Sequence, residues 1–210
     1  MNPPDLTRLH ALRANLAGRT AAMAAIAPRY HAIAQRHENG TAPRAVSTHQ
    51  LFQTPPALAA RLVALLGPLH GLRVLEPSAG LGRILDAIHH AGPPAGTVAV
   101  EIASQCAAEL VGRDGVQIRC RDFLTCTPEE LGTFHAIAMN PPFTMRSDIR
   151  HIRHALTFLR PGGTLAALCM QGEHRHAALR PLATTWEPIP AGTFAAENTQ
   201  VATILLTIRK

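Results

Sequence analysis

From residue 72 onward the chain alternates between two patterns. Short runs, most of them apolar, read as strands: "LRVLE" (72–76), "TVAVEI" (97–102), "VQIRC" (116–120), "FHAIAM" (134–139), "GTLAALCM" (163–170) and "VATILLTI" (201–208). Helical spacing fills the intervals. One helix follows a glycine turn and runs through His89, a short one reaches Val111, and two more occupy 147–159 and 172–180. Strands that are apolar along their whole length must be covered on both faces, and strand–helix–strand units place them parallel. The alternation therefore predicts a doubly wound, Rossmann-like α/β fold with a mostly parallel sheet.

Two helical stretches precede it. "FQTPPALAARLVALLG" (52–67) has Thr54 as its expected N-cap and Pro55 as its first residue, with Gly67-Pro68 as a stop. Further upstream, Leu6, Leu9, Leu12 and Leu16 follow a capping Asp5 at helical spacing. Pro28 should end or kink that helix, and "NGTAP" (39–43) is a break. The expected division is a helical extension over 1–45 and an α/β domain over 46–210.

With 210 residues, 47% of them hydrophobic, the chain can bury a substantial core. The formal charge is +6, carried by arginine except at Lys210. That balance favours polyanionic partners, and arginine suits phosphates and base edges. Cys106, Cys120, Cys126 and Cys169 form no C-x-x-C pair and have no histidine at zinc-ligand spacing. They imply no metal, and they read as reduced thiols of a cytoplasmic protein. Nothing resembles a signal peptide or approaches the length of a membrane span.

The glycine turn is "LEPSAGLGRIL" (75–85). Glu76 ends a strand, the small residues Pro77, Ser78 and Ala79 follow, and a helix is expected from about Leu81. Gly80 and Gly82 would let backbone approach a ligand. Ser78 stands where a dinucleotide fingerprint needs glycine, and no G-K-[ST] follows, so neither dinucleotide nor P-loop chemistry fits. An acid at this strand end suits a cationic ligand group. The next strand leads to Glu101 and Ile102. An acid there, about twenty residues on, can accept from two ribose hydroxyls. The third leads into "CRDFL" (120–124), where Asp122 can accept from a base amine while Phe123 covers the ring.

"LEPSAGLG", Glu101, "RDF" and "NPPF" (140–143), in this order and spacing, resemble class I S-adenosylmethionine-dependent methyltransferases. More narrowly they resemble the amino-methyltransferases that act on adenine in DNA. "FQTPPALAARL" is similar to the extra cofactor motif of those enzymes, and "DIRHIRHALTFLRPGG" and "GTFAAENTQVATILL" resemble small forms carried by phages and plasmids. The likeness spans about residues 50–208. It implies a seven-stranded sheet with an antiparallel C-terminal strand and S-adenosyl-L-methionine as cofactor. It places Phe52, Thr54, Glu76, Pro77, Ser78, Ala79, Gly80, Gly82, Glu101, Ile102, Asp122, Phe123 and Asn140 at the cofactor, and Asn140, Pro141, Pro142 and Phe143 at the chemistry.

An aromatic amine is a weak nucleophile because its lone pair is delocalised into the ring. Two neutral acceptors on its N–H bonds, the Asn140 side-chain oxygen and the Pro141 carbonyl, favour a pyramidal nitrogen and stabilise the charge that develops on it. The prolines hold those acceptors rigidly, and Phe143 is expected to stack on the base. "NPP" also occurs at residues 2–4 with no strand before it, so the preceding strand matters. Such a base would have to leave a duplex.

Arg146, Arg150, His151, Arg153, His154 and Arg175 follow the motif. Arg146, Arg150 and Arg175 are the expected phosphate-binding rim. The implied partner is nucleic acid, with DNA first and RNA open. A protein glutamine amide and a non-catalytic cofactor-binding subunit remain alternatives. Little sequence between "FTMRS" and the last strand is left to read base edges. That predicts relaxed recognition, a very short site, or dependence on a specificity partner or a second copy.

Overall fold

The structure is a computed structural model that describes residues 53–197 and 201–210. The expected helical extension over 1–45 and the expected cofactor residue Phe52 lie outside them. The elements are α1 (Pro56–Ala64), β1 (Arg73–Glu76), α2 (Arg83–His90), β2 (Gly96–Glu101), α3 (Ser104–Leu110), β3 (Val116–Cys120), α4 (Pro128–Leu131), β4 (Phe134–Met139), α5 (Ser147–Phe158), β5 (Leu159–Met170), α6 (Glu173–Leu179), β6 (Thr185–Ile189) and β7 (Thr203–Arg209). The strands form one sheet in the order β3-β2-β1-β4-β5-β7-β6. The first five are parallel, and β7 runs antiparallel between β5 and β6. The expected doubly wound sheet, seven strands with an antiparallel closing strand, is what the chain forms.

Period-two alternation sends the residues of the inner strands into two cores, while the edge strand β3 has no buried residue. Val74, Ala99, Ala136, Ala138, Ala166, Leu168 and Leu205 pack against Leu58, Leu62 and Val63 of α1 and Ile84, Leu85 and Ile88 of α2. Leu75, Val98, Val100, Ile137, Met139, Leu165 and Leu206 pack on the other side with Ile152, Ala155 and Phe158 of α5. The first face is rich in alanine and the second carries larger side chains. Burial on both faces is the reason these strands read as continuous apolar runs.

Chain direction across the sheet reverses between β1 and β4. β2 and β3 lie to one side of β1, β4 and β5 to the other. Crevices in such sheets open beyond the carboxyl ends of the strands at this switch point. Glu76 ends β1 and Asn140 follows β4 there.

Three local expectations need correction. β6, "TWEPI", escaped the strand reading because polar residues and Pro188 interrupt it. As an edge strand it tolerates a residue without an N–H. β5 begins at Leu159, not Gly163: Leu159 pairs with Phe134 before a register shift. Thr54 does not cap α1. Pro55 holds the N-cap position with no side-chain capping bond, and Pro56 is the first helical residue.

Candidate active site

A cavity of about 440 Å³ opens where the carboxyl ends of β1, β2, β3 and β4 converge. Its wall includes Thr54, Glu76, Pro77, Ser78, Ala79, Gly80, Glu101, Ile102, Asp122, Phe123, Asn140, Pro141, Pro142 and Arg150. Residues expected at the site from four strand ends and a helix start thus share one space.

Glu76 forms part of that wall and is 1% exposed. Its Oε2 has no hydrogen-bond partner among the described residues. Burial pushes its carboxyl well above the ordinary 4.5. The charge of Arg113 opposes that shift, and Asp86 and Glu101 add to it. A cationic ligand group would restore the ionised form.

Glu101 works as a clasp. Its Oε2 accepts from the Gly80 N–H at 2.7 Å and its Oε1 from the Ala103 N–H at 2.7 Å. The carboxylate therefore ties the glycine turn to the end of β2. Each oxygen keeps a lone pair, so acceptance from ribose hydroxyls remains open to it. Asp122 caps the short turn Phe123–Thr125 through the Leu124 N–H at 2.9 Å. The Phe123 ring packs on Phe158 at 5.2 Å and on the edge of His154 at 4.9 Å.

Asn140 Nδ2 donates to Thr54 Oγ1 at 3.0 Å. The hydroxyl expected to cap a helix instead orients an amide 86 residues away. With the nitrogen end held there, the amide's oxygen faces the other way.

Three expected site residues do other work. Gly82 is not on the cavity wall. It caps α2 at φ 85°, and a Cβ there would meet Leu110 at 2.7 Å and Arg113 at 2.8 Å. Its missing side chain makes room for the Arg113–Asp86 ion pair at 2.6 Å. The ring of Phe143 is buried in the core beneath α1 and α2, so it offers no face for stacking a base. Arg175 is not a rim residue. Its Nε bonds Asp148 Oδ2 at 3.0 Å, and its Nη2 donates to the Phe143 carbonyl at 3.1 Å. Asp148, fully buried, also accepts from the Met170 N–H at 3.1 Å. The pair joins α5, β5, α6 and the loop after β4.

Arg150 is exposed at the cavity mouth, and Arg146 is exposed beside it in sequence. Met145 and Arg146 adopt left-handed φ values of 49° and 60°. Two adjacent non-glycine residues in that region are strained, and Arg175 holds the loop that contains them.

His151, one of the basic residues that follow the motif, is 7% exposed and lines the cavity. Its Nδ1–H donates to the Ser147 carbonyl at 2.8 Å. Sequence gave no signal for this, because a histidine among arginines on an amphipathic helix looks solvated. Ser147, Leu124 and Thr144 also line the cavity. Among the described residues no helix is long and apolar enough to cross a membrane.

No family model and no curated protein matches the sequence. Solved structures do. TrmN from Thermus thermophilus superposes with a TM-score of 0.59 at 23% identity, over 74% of this chain and 48% of that one. PH1948 of Pyrococcus horikoshii, a proposed RNA methyltransferase, gives 0.62 at 16% identity, over 76% and 86%. A modification subunit of a proposed type I restriction enzyme from Vibrio vulnificus gives 0.58 at 18% identity, over 88% and 49%. The chain spans about half the length of the first and third. At these identities the likeness is one of fold: the Rossmann-like fold of methyltransferases.

Proposed function

We propose that the chain is an S-adenosylmethionine-dependent methyltransferase that acts on the exocyclic amine of adenine in DNA. The observation that carries this is the meeting of Asn140–Pro141–Pro142 with Glu76, Gly80, Glu101 and Asp122 around one cavity. The unsatisfied buried carboxyl of Glu76 fits the ammonium of the cofactor's methionine moiety. Glu101 and Asp122 fit its ribose and base. When bound, the cofactor supplies an electrophilic methyl group on a sulfonium sulfur.

The protein's own contribution is positional and electrostatic. Asn140, its amide held by Thr54, presents an oxygen to one amine N–H, and the Pro141 carbonyl takes the other. The prolines fix both acceptors, which are neutral dipoles set before charge develops on nitrogen. In-line placement supplies much of the rest of the rate. Exposed Arg146 and Arg150 provide phosphate contacts near the mouth. Between β4 and β7 more than half of the chain belongs to α5, β5, α6 and β6, which build the sheet or pack beside it. That supports relaxed or short-site recognition, or a partner that reads the sequence.

The test is transfer of labelled methyl to duplex DNA, single-stranded DNA, RNA and protein. Adenine-N6 labelling of DNA is expected. Asn140→Ala should lower turnover by about 100-fold or more while calorimetry still shows S-adenosylhomocysteine binding. Full turnover in that variant would remove the assignment. Labelling confined to RNA would reassign the substrate.

A further inference from the structure

His151 is a buried imidazole on the cavity wall, and among the described residues only its Nδ1 has a hydrogen-bond partner. A backbone carbonyl can only accept, so the 2.8 Å contact with Ser147 O places the ring proton on Nδ1. Ser147 Oγ lies 3.0 Å from the same nitrogen. In the neutral ring Nε2 is then a bare acceptor.

Its neighbours say which end of the cavity it serves. The His151 ring lies 6.2 Å from the Phe123 ring, beside the turn capped by Asp122. His154, one turn along the same helix, donates through Nε2 to the carbonyls of Phe123 and Cys126, both at 3.1 Å. α5 and the turn after β3 are therefore fastened to each other. In a doubly wound sheet that turn belongs to the nucleoside end of the crevice, whereas Asn140 marks the reacting end.

We propose that His151 reads the base of the bound cofactor: its unprotonated Nε2 accepts a hydrogen bond from the exocyclic amine of the cofactor's adenine. The inference rests on the cofactor reading above and adds to it a residue to which the resemblance assigned no cofactor contact. Asp122 and His151 flank the base from β3 and from α5, so an amine with two N–H groups meets two acceptors. A base bearing a carbonyl at that position would present an acceptor to an acceptor.

The same arrangement makes binding sensitive to acid. Burial holds the imidazole below its ordinary 6.5. The Ser147 carbonyl and Asp122 push it up, and Arg150 and His154 push it down again. The neutral ring is the form that accepts. Protonation turns Nε2 into a donor facing a donor, so affinity should fall as pH drops through that depressed pKa.

The test is calorimetric titration of the whole chain with S-adenosylhomocysteine and with its inosine counterpart, which carries a carbonyl in place of the amine. The native protein should prefer the adenine form by about tenfold or more. His151→Ala should lose the part of that preference that His151 supplies, leaving the part held by Asp122, and bind the inosine form about as natively. His151→Gln, which keeps an acceptor near the Nε2 position, should retain the preference but lose the fall in affinity that sets in as pH drops below about 6.5. An undiminished preference in His151→Ala, or an equal loss of both ligands in both variants, would overturn the proposal. Failure of the native protein to bind either ligand would overturn the cofactor reading and this inference with it.

Discussion

Glu76 and Asp148 are both buried carboxylates, at 1% and 0% exposure, and they are opposites. Asp148 is surrounded by donors: the Met170 N–H, the Ile149 N–H and the Arg175 guanidinium. Glu76 lines a cavity with one oxygen unsatisfied, and burial keeps its carboxyl protonated well above the ordinary range. A buried charge must be paired or neutralised. Where the fold supplies the pairing, the group is a fastening. Where it leaves the group to neutralise itself beside an open cavity, it marks a place for a ligand to do the pairing.

Asp148→Ala should give the largest effect. It strands the Arg175 guanidinium, which is largely buried, and removes an acceptor from the end of β5. The expected loss is about 3–5 kcal/mol of unfolding free energy in urea titration. A loss under about 1 kcal/mol would show that water already carries that charge.

Glu76→Gln should behave in the opposite way. Affinity for S-adenosylhomocysteine should fall about tenfold, or about 1.4 kcal/mol. Stability at neutral pH should hold or rise, because a carboxyl that resists ionising is gone. The sign follows from linkage. With its folded pKa raised, Glu76 keeps a proton that the unfolded chain releases above about 4.5. Its contribution to stability is fully present below that pH and is lost as pH rises toward the folded value. Urea titrations across that window should show the decline in the native protein and a flatter line in Glu76→Gln. Identical slopes would contradict the burial argument.

Arg175→Lys divides the clamp more finely. A lysine can keep one ion pair but cannot also fork to the Phe143 carbonyl. About 1–2 kcal/mol of stability should go, with a larger proportional drop in turnover than in cofactor affinity. An equal drop in both would make the pair a fastening without influence on the loop that carries Asn140.

The smallest effect belongs to a third carboxylate, Glu187, which pairs with Arg61 while both side chains are about half exposed. Arg61→Ala should change stability by less than about 1 kcal/mol, and less again at high salt.

Much of this fold was written in local pattern. Apolar runs along β1, β2, β4, β5 and β7 announced strands buried on both faces, since burial on both sides leaves no polar alternation. The acids at successive strand ends and the asparagine after β4 could be placed because parallel strands bring their carboxyl ends to one edge. β6 stayed hidden because an edge strand has little need of apolar residues and can carry Pro188.

Side-chain partners across long separations were decided only by tertiary structure. Thr54 reads as a helix cap until it is seen against Asn140, 86 residues on. Phe143 follows two prolines in a pattern that suggests stacking on a base, yet the core beneath α1 and α2 takes the ring. Gly82 reads as a ligand-facing glycine, whereas the crowding it relieves comes from Leu110 and Arg113. Arg175 and His151 both read as solvated bases, and one is clamped to Asp148 while the other lines the cavity. Sequence periodicity records which face of an element is buried. It does not record what stands on the far side of that face, and that is what separates a ligand contact from a core contact.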